Sequence, residues 1–313
     1  MQAVRFHEFG SPSVLVLEEV DLPVPGPGEV RVRVAATSFN GIDGNIRAGA
    51  MTGPFPVSLP HVPGVDVAGT VDAVGDGVTG RQVGEAVVGF VPMVPDGAAA
   101  EFVVVPAEVL VAAPTAVPLA DAAALPLVGL TAWQALFDHG ALTAGQRVLV
   151  TGAGGAVGGY AVQLAVAAGA QVVATASART AAAVRALGAI HVLDPAADLA
   201  IDLGDPVDLV LNLAPVEPGQ LAAMAALVRP GGAVVSTTVW MPAPSDPERG
   251  VRGVDVFVRS DAGQLAELVA RVDRGELRVD VADRVPLAEL AGVHRRAAEG
   301  RLPGKTVVLI EER

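Results

Sequence analysis

Arg147-Val-Leu-Val-Thr151, then Gly152-Ala-Gly-Gly-Ala-Val-Gly-Gly159, then Tyr160-Ala-Val-Gln-Leu-Ala-Val-Ala-Ala168, is the stretch that decides the fold. A short apolar strand runs into a glycine turn, and the turn runs into a helix with Val162, Ala165 and Val166 at helical spacing. The pattern Ala153-x-Gly155-x-x-Gly158 is a dinucleotide fingerprint with Ala in place of its first Gly. Residues Ala153, Gly154, Gly155, Ala156 and Val157 are therefore the expected pyrophosphate contact. Small residues let the backbone approach the phosphates, and the helix N-terminus directs its amides at their charge.

The next strand, Gln171 to Ala176, carries the choice of cofactor. An Asp or Glu at its end would bind the ribose 2′-hydroxyl of NAD. The sequence there reads Ala174-Thr-Ala-Ser-Ala-Arg179, with no acid. Ser177 can donate to a 2′-phosphate and Arg179 can pair with it, which favours NADPH; the plainer reading of Arg179 is the start of an exposed helix.

Further outward, strands and helices keep alternating. Helix Thr180 to Leu187, strand Ile190 to Leu193, strand Val207 to Leu213, helix Gln220 to Val228, and strands Ala233 to Thr238 and Val254 to Val258 predict a parallel, helix-covered sheet. Its strands are almost continuously apolar, as burial on both faces requires. Ala120 to Leu125 and Thr131 to His139 read as helices, and the polar, Pro-rich stretch Pro242 to Gly253 reads as a mobile loop. Residues 1–115 instead read as a small β-barrel or sandwich: Val30 to Ala35 alternates apolar and basic residues, and Val67 to Val74, Ala86 to Val91 and Glu101 to Val105 lie between turn signals. A helix Ala262 to Arg274, a strand near Val281, a helix Leu287 to Glu299 and a strand Thr306 to Ile310 close the chain.

Composition excludes several classes. The 313 residues contain no cysteine, which removes disulfides, thiolate nucleophiles and Cys-based zinc sites. A net charge of −13 argues against a nucleic-acid surface or a polybasic membrane anchor. No uninterrupted apolar run reaches the roughly 18 residues of a membrane span, and Met1 to Gly10 lacks the apolar stretch of a signal peptide. A soluble, cytoplasmic protein is expected.

The motifs, taken in order, resemble the medium-chain dehydrogenase/reductase superfamily, and within it the zinc-independent quinone oxidoreductase-like branch. They are Leu22-Pro-Val-Pro-Gly26, Asn40-x-x-Asp43 with Arg47-x-Gly49, Pro63-Gly-Val-Asp-Val-Ala-Gly69, Ala122-Ala-Ala-Leu-Pro126, Gly129-Leu-Thr-Ala132, the glycine turn, Arg229-Pro-Gly-Gly232 and Gly304-Lys305. The resemblance implies a Rossmann doubly wound parallel sheet over residues 119–261 and a chaperonin-10-like β-barrel from residues 1–118 and 262–313. It further implies a cofactor in the cleft and a homodimer. Asn40 would lie by the nicotinamide and the substrate carbonyl, with Thr131 at the nicotinamide end. Leu213, Thr237, Thr238, Phe257 and Val258 would hold the ribose and carboxamide. Asp43 is the next catalytic candidate, with a structural bond to Arg47 as its other role.

By motif position, the zinc ligands of other superfamily members fall on Asn40, Val65 and near Leu127, none of them a usual zinc ligand; no metal is expected. Of five scattered histidines only His61, beside the Pro63-Gly64 turn, lies near the implied cleft, and a partly exposed loop residue is its default reading. The chain departs from the family at Asn45, where a Tyr is common, at Pro195, and at Pro215-Val216 in place of a Gly pair. The only tyrosine is Tyr160. The implied activity is NADPH-dependent hydride transfer to a quinone or an α,β-unsaturated carbonyl, a small-molecule substrate. The alternatives are a pathway-specific enoyl reductase of a polyketide-like intermediate and a catalytically silent NADPH-binding sensor.

Overall fold

The alternation in Val30-Arg-Val-Arg-Val places Val30, Val32 and Val34 inside and leaves Arg31 and Arg33 on the other face, a half-buried strand. The computed structural model describes residues 1–196, 198–238 and 241–310, without the side chains of residues 201 and 218. Its first unit comprises Met1–Leu127 and continues from Ser260; its second is Val128–Arg259. The first begins with β1 (Gln2–Arg5), β2 (Val16–Glu19), β3 (Glu29–Ser38), β4 (Asp66–Val74), β5 (Ala86–Phe90), β6 (Phe102–Pro106) and β7 (Leu110–Ala112). The second contains β8 (Arg147–Thr151), β9 (Gln171–Thr175), β10 (His191–Leu193), β11 (Val207–Asn212), β12 (Val228–Ser236) and β13 (Arg252–Asp255). The chain then returns to the first unit with β14 (Asp283–Pro286) and β15 (Thr306–Leu309).

Strand β3 is the hub of the first unit. It pairs antiparallel with β4, β6 and β15 in a seven-stranded sheet, while β1 and β2 form a separate ribbon. The register of β3 against β4 shifts between Val34 and Ala36. There β4 comes so close that a Cβ on Gly69 would lie 2.2 Å from the Arg33 carbonyl oxygen, so only glycine fits. On the outer face Arg31 pairs with Asp72 and lies 5.5 Å over the Phe102 ring. Helix α1 (Gly41–Arg47) follows β3 directly, and α2 (Leu119–Ala122) packs on β3, β4 and β15. That packing puts the unit boundary after Leu127 rather than after residue 118.

In the second unit every strand pair is parallel, and the order β10-β9-β8-β11-β12-β13 reverses direction between β8 and β11. This is the doubly wound arrangement, with its crevice at the switch point. Leu149, Val173, Val210 and Val234 are essentially without exposure. Leu221 and Met224 of the helix Pro218–Ala226 pack against that core. Helix α3 (Pro126–Trp133) widens into a π-turn over Gln134–His139. The run Leu119–His139 is long and apolar enough to cross a bilayer, but 78% of its 18-residue apolar window is buried inside the protein, as for a core helix. The helix after the glycine turn, α4 (Ala156–Ala167), starts four residues before Tyr160, because Gly155 adopts the extended cap conformation at φ −85°, ψ 174°. The strand expected near Val281 lies at Asp283–Pro286, and the helix from Leu287 begins as a 3₁₀ turn.

The stretch Pro242 to Gly253 is tied down, contrary to its composition. Arg249 donates to the carbonyls of Ala225 (2.8 Å) and Val228 (2.9 Å) and to the Asp246 carboxylate (2.6 Å). Asp246 and Val251 exchange backbone hydrogen bonds, and Val251 is buried. Arg249→Ala should destabilise the chain by about 1.5–3 kcal/mol, the range for hydrogen bonds to a charged group. It should also accelerate amide exchange at Asp246 and Val251 ahead of the sheet. Unchanged exchange at those two amides would show that the guanidinium does not hold the loop.

Candidate active site

All carboxyl ends of the parallel sheet lie on one edge, where a doubly wound fold binds ligands. The glycine turn leaves β8 there, Ser177 and Arg179 follow β9, and Leu213 to Val216 follow β11. Thr237 and Thr238 follow β12, and Phe257 and Val258 come shortly after β13. A cavity of about 380 Å³ opens beside the turn. It is lined by Gly152, Gly154 and Gly155, by Ser177, Arg179 and Thr180, and on its apolar side by Leu199, Val216 and Met224. No Asp or Glu is among its described lining residues.

The turn itself is built for a close approach. Gly152 has φ +69°, a left-handed conformation that favours glycine. A Cβ on Gly154 would strike the Thr180 hydroxyl at 2.2 Å, so the turn seats against the segment carrying Ser177 and Arg179. Gly155 caps the twelve-residue α4 with no side-chain acceptor for its first amides. Exposed Gly155, half-buried Ala156 and Val157, and buried Ala153 complete this face. These residues fit a dinucleotide pyrophosphate: the amides of α4 supply the partial positive charge, and the glycines leave the room.

Sequence reasoning missed the polar ladder behind this edge. Buried Asn212 accepts from the Thr151 hydroxyl at 2.7 Å and donates to Ser236 and Thr238, each at 3.2 Å. It joins the ends of β8, β11 and β12 and so positions Leu213 and Thr238. Gln134 in the π-turn does the same for Val258: its carboxamide donates to the Arg259 carbonyl (2.9 Å) and accepts from the Arg259 amide (3.0 Å). Thr131, one turn earlier on α3, is buried. Phe257 is 60% exposed.

In the first unit Asn40 and Asp43 come together with two residues that were quoted in motifs but assigned no role, Asp66 and Lys305. Asp66 has no exposure and Lys305 has 5%. The Lys305 ammonium donates to Asn40 Oδ1 at 2.6 Å and lies 3.3 Å from Asp66 Oδ2. Asn40 Nδ2 donates to Asp66 Oδ2 at 2.9 Å, with a longer 3.4 Å contact to the Ser38 carbonyl. The Leu127 amide donates to Asp66 Oδ1 at 2.8 Å. Burial lowers the Lys305 pKa, and the Asp66 charge opposes that shift.

Asp43 does not bond Arg47. Its carboxylate accepts from the Asn40 amide (2.8 Å) and the Gly64 amide (3.1 Å), capping α1 and holding the Pro63-Gly64 turn. Arg47 instead points its guanidinium to the carbonyls of Gly10 and Gly44. The two charges diverge because each finds backbone partners outside the helix, the Gly64 amide for Asp43 and the Gly10 carbonyl for Arg47. Burial pushes the Asp43 pKa up to about 7, against the two amide hydrogen bonds and with help from the Asp66 charge. His61 is buried as well, rather than partly exposed; it is locked by backbone bonds to Phe6 and by an edge contact with the Phe6 ring. His294, between Phe39 and Arg47, is driven down to about 3 by burial and then by the Arg47 charge.

These residues do not fit a zinc ion. Asn40 Oδ1 already accepts from an ammonium, Val65 offers no donor atom, and Leu127 contributes an amide N–H that is spent on Asp66. Among the described residues, no group of three or more His, Asp or Glu side chains is placed to hold a metal ion.

Comparison with known proteins agrees with this architecture. Residues 26–115 match the alcohol dehydrogenase GroES-like domain, and residues 187–308 match the family described as zinc-binding dehydrogenase. A chloroplast envelope quinone oxidoreductase homologue of Arabidopsis thaliana is 33% identical over 325 residues, covering 98% of each chain. The quinone oxidoreductase of Pseudomonas aeruginosa is 32% identical over 332 residues, with 98% coverage of each. Among solved structures, the quinone oxidoreductase from Coxiella burnetii superposes with a TM-score of 0.90 at 26% identity over 99% of each chain. The CurK enoyl reductase gives a TM-score of 0.85 at 26% identity, also over 99% of each. With a GroES-like β domain, a doubly wound parallel sheet and relatives of this kind along its whole length, the chain belongs to the medium-chain dehydrogenase/reductase superfamily, in its quinone oxidoreductase-like branch.

Proposed function

We propose that this protein is an NADPH-dependent, zinc-independent reductase that passes hydride to a quinone or an α,β-unsaturated carbonyl. Membership of the branch makes it an oxidoreductase; the choice of NADPH rests on one observation. Ser177 and Arg179 share a cavity with the glycine turn, and no Asp or Glu is among the described residues lining it. A 2′-phosphate there meets a hydroxyl donor and a guanidinium, and no carboxylate repels it. NADPH, when bound, supplies the hydride. The protein holds the pyrophosphate on Gly154, Gly155 and the first amides of α4, and the nicotinamide end on Thr131, Leu213, Thr237 and Val258.

The electrophile is the chain's own task. Hydride arriving at a quinone or enone leaves an oxyanion that needs a donor and then a proton. Asn40 has one N–H spent on Asp66 and a second on only a 3.4 Å contact, and that second N–H is the one to offer. Lys305 on Asn40 Oδ1 polarises the carboxamide and makes it a better donor. Asp43, whose pKa burial raises to about 7, is the carboxyl that holds the proton. An alcohol oxidation through a metal-bound alkoxide finds no ligand set here. A homodimer in the cytoplasm belongs to the same reading. The likeness to an enoyl reductase keeps an acyl-thioester substrate as the second reading. Turnover of NADPH with a quinone panel, compared with enoyl thioesters, separates the two; binding without turnover on either would indicate a sensor.

Gly155→Val should keep the fold, because a Cβ there meets only the Gly152 carbonyl at 3.3 Å, yet it should abolish cofactor binding by filling the pyrophosphate approach. Unchanged NADPH affinity would overturn the turn assignment. Arg179→Ala should weaken NADPH about 10- to 100-fold, the worth of a charged hydrogen bond, and leave NADH nearly unaffected. Equal losses for both cofactors would assign Arg179 to the helix instead. EDTA should leave turnover unchanged and elemental analysis should find no stoichiometric zinc. Chelator-sensitive activity would overturn the metal-free reading.

A further inference from the structure

His61 and Asp96 have no part in the chemistry above, yet the fold takes trouble to place them. Asp96 stands on an exposed loop, and its Oδ1 accepts from the Val62 amide at 2.8 Å. The same oxygen lies 3.7 Å from His61 Nδ1. The loop is clamped again by the Gly97 amide on the Val62 carbonyl at 2.7 Å. His61 itself is 4% exposed, pinned through both backbone groups to Phe6, and its ring lies edge-on to the Phe6 ring. A cavity of about 10 Å³ is bounded by His61 and Asp43 together with Gly64, Met93 and Gly97. That is the lower limit of what one water requires, about 10–15 Å³. Asp43 and His61 are the two titratable residues in its lining.

We propose that His61 feeds protons from solvent to Asp43 through a single water in this cavity, with Asp96 holding the imidazolium that forms. The proposal rests on the reductase reading, because that reaction consumes one proton per turnover. The balance is closed. The Asp43 carboxyl gives its proton to the substrate oxyanion, and the resulting carboxylate takes one from the water. The water takes one from the His61 imidazolium, and neutral His61 is recharged from solvent beside Asp96.

The surrounding charges suit this direction. Asp66 and Lys305 are the charged groups acting on Asp43, and Asp96 is the one acting on His61. Burial lowers the His61 pKa while Asp96 raises it, so the ring sheds its proton readily. Burial raises the Asp43 pKa to about 7, so this carboxyl recovers the proton near neutrality. Asp43 serves as acid only in its protonated form, which makes kcat fall as pH rises through about 7.

The test measures NADPH-dependent reduction of 1,4-benzoquinone, naphthoquinone and a 2-alkenal from pH 5.5 to 9. His61→Gln should lower kcat about 5- to 50-fold, below the 10²–10⁴ typical of losing an acid outright, with the NADPH dissociation constant unchanged. Its solvent isotope effect should rise, and added imidazole should restore part of the rate, which a packing role does not predict. Asp96→Asn keeps the acceptor for the Val62 amide on an exposed side chain and so guards against misfolding. It should lower kcat mainly above pH 7. Wild-type kcat and isotope effect in both variants would overturn the relay. If the wild type reduces none of these acceptors, the reductase reading fails, and the relay is judged separately in the resting protein. The infrared band of protonated Asp43, identified by its loss in Asp43→Asn, should exchange into D₂O more slowly in His61→Gln. Equal exchange would overturn the relay on its own.

Discussion

A carboxylate with no exposure, Asp66, organises the first unit. It accepts from the Ser38 hydroxyl, the Asn40 carboxamide, the Leu127 amide and the Lys305 ammonium, the last of them 239 residues away in sequence. An isolated ionised carboxylate in an apolar interior is prohibitively costly, so these partners are a condition of burying it at all. The consequence is long-range. The C-terminal segment must return and lay β15 against β3 so that Lys305 can reach the charge. The same arrangement fixes the end of β3, the cap of α1 and the backbone at Leu127, around Asn40 and Asp43.

The second unit depends on geometry rather than on a buried charge. Six parallel strands deliver their carboxyl ends to one edge, and the order reversal between β8 and β11 leaves a crevice there. Each connecting loop therefore contributes a residue or two to the same place without further design. The Asn212 ladder and the Gln134 clamp hold those loops by side-chain bonds across or beside the strands. Their partners lie 24 to 125 residues apart, so they leave no local pattern in the sequence.

Much of this was legible from residues alone. The strand, glycine turn and helix at 147–168 imposed their own reading, because a left-handed Gly152 and a sterically bare Gly155 are local requirements. The missing acid after β9 was equally plain. Where the reading went astray, a partner distant in sequence decided. Pro242 to Gly253 has the composition of a mobile loop, but Arg249 finds two open carbonyls around β12. Asp43 and Arg47 sit at pairing distance along a helix, yet Asp43 accepts from the Asn40 and Gly64 amides while Arg47 reaches the Gly10 carbonyl, 37 residues away. His61 looked exposed because nothing local showed that Phe6 would pair with it.

The sequence by itself determined the elements, their order, the glycine turn and the absence of an acid after β9, because strand periodicity, glycine conformation and side-chain charge are properties of short segments. Only the tertiary structure decided what the buried polar groups do. It turned Asn40 from a solitary amide into one arm of a network with Asp66 and Lys305, and it set Asp43 and His61 on the walls of one small cavity. The reason is physical. A polar side chain taken out of water acquires its charge state and its direction from whichever partner the fold brings to it, and those partners come from anywhere along the chain.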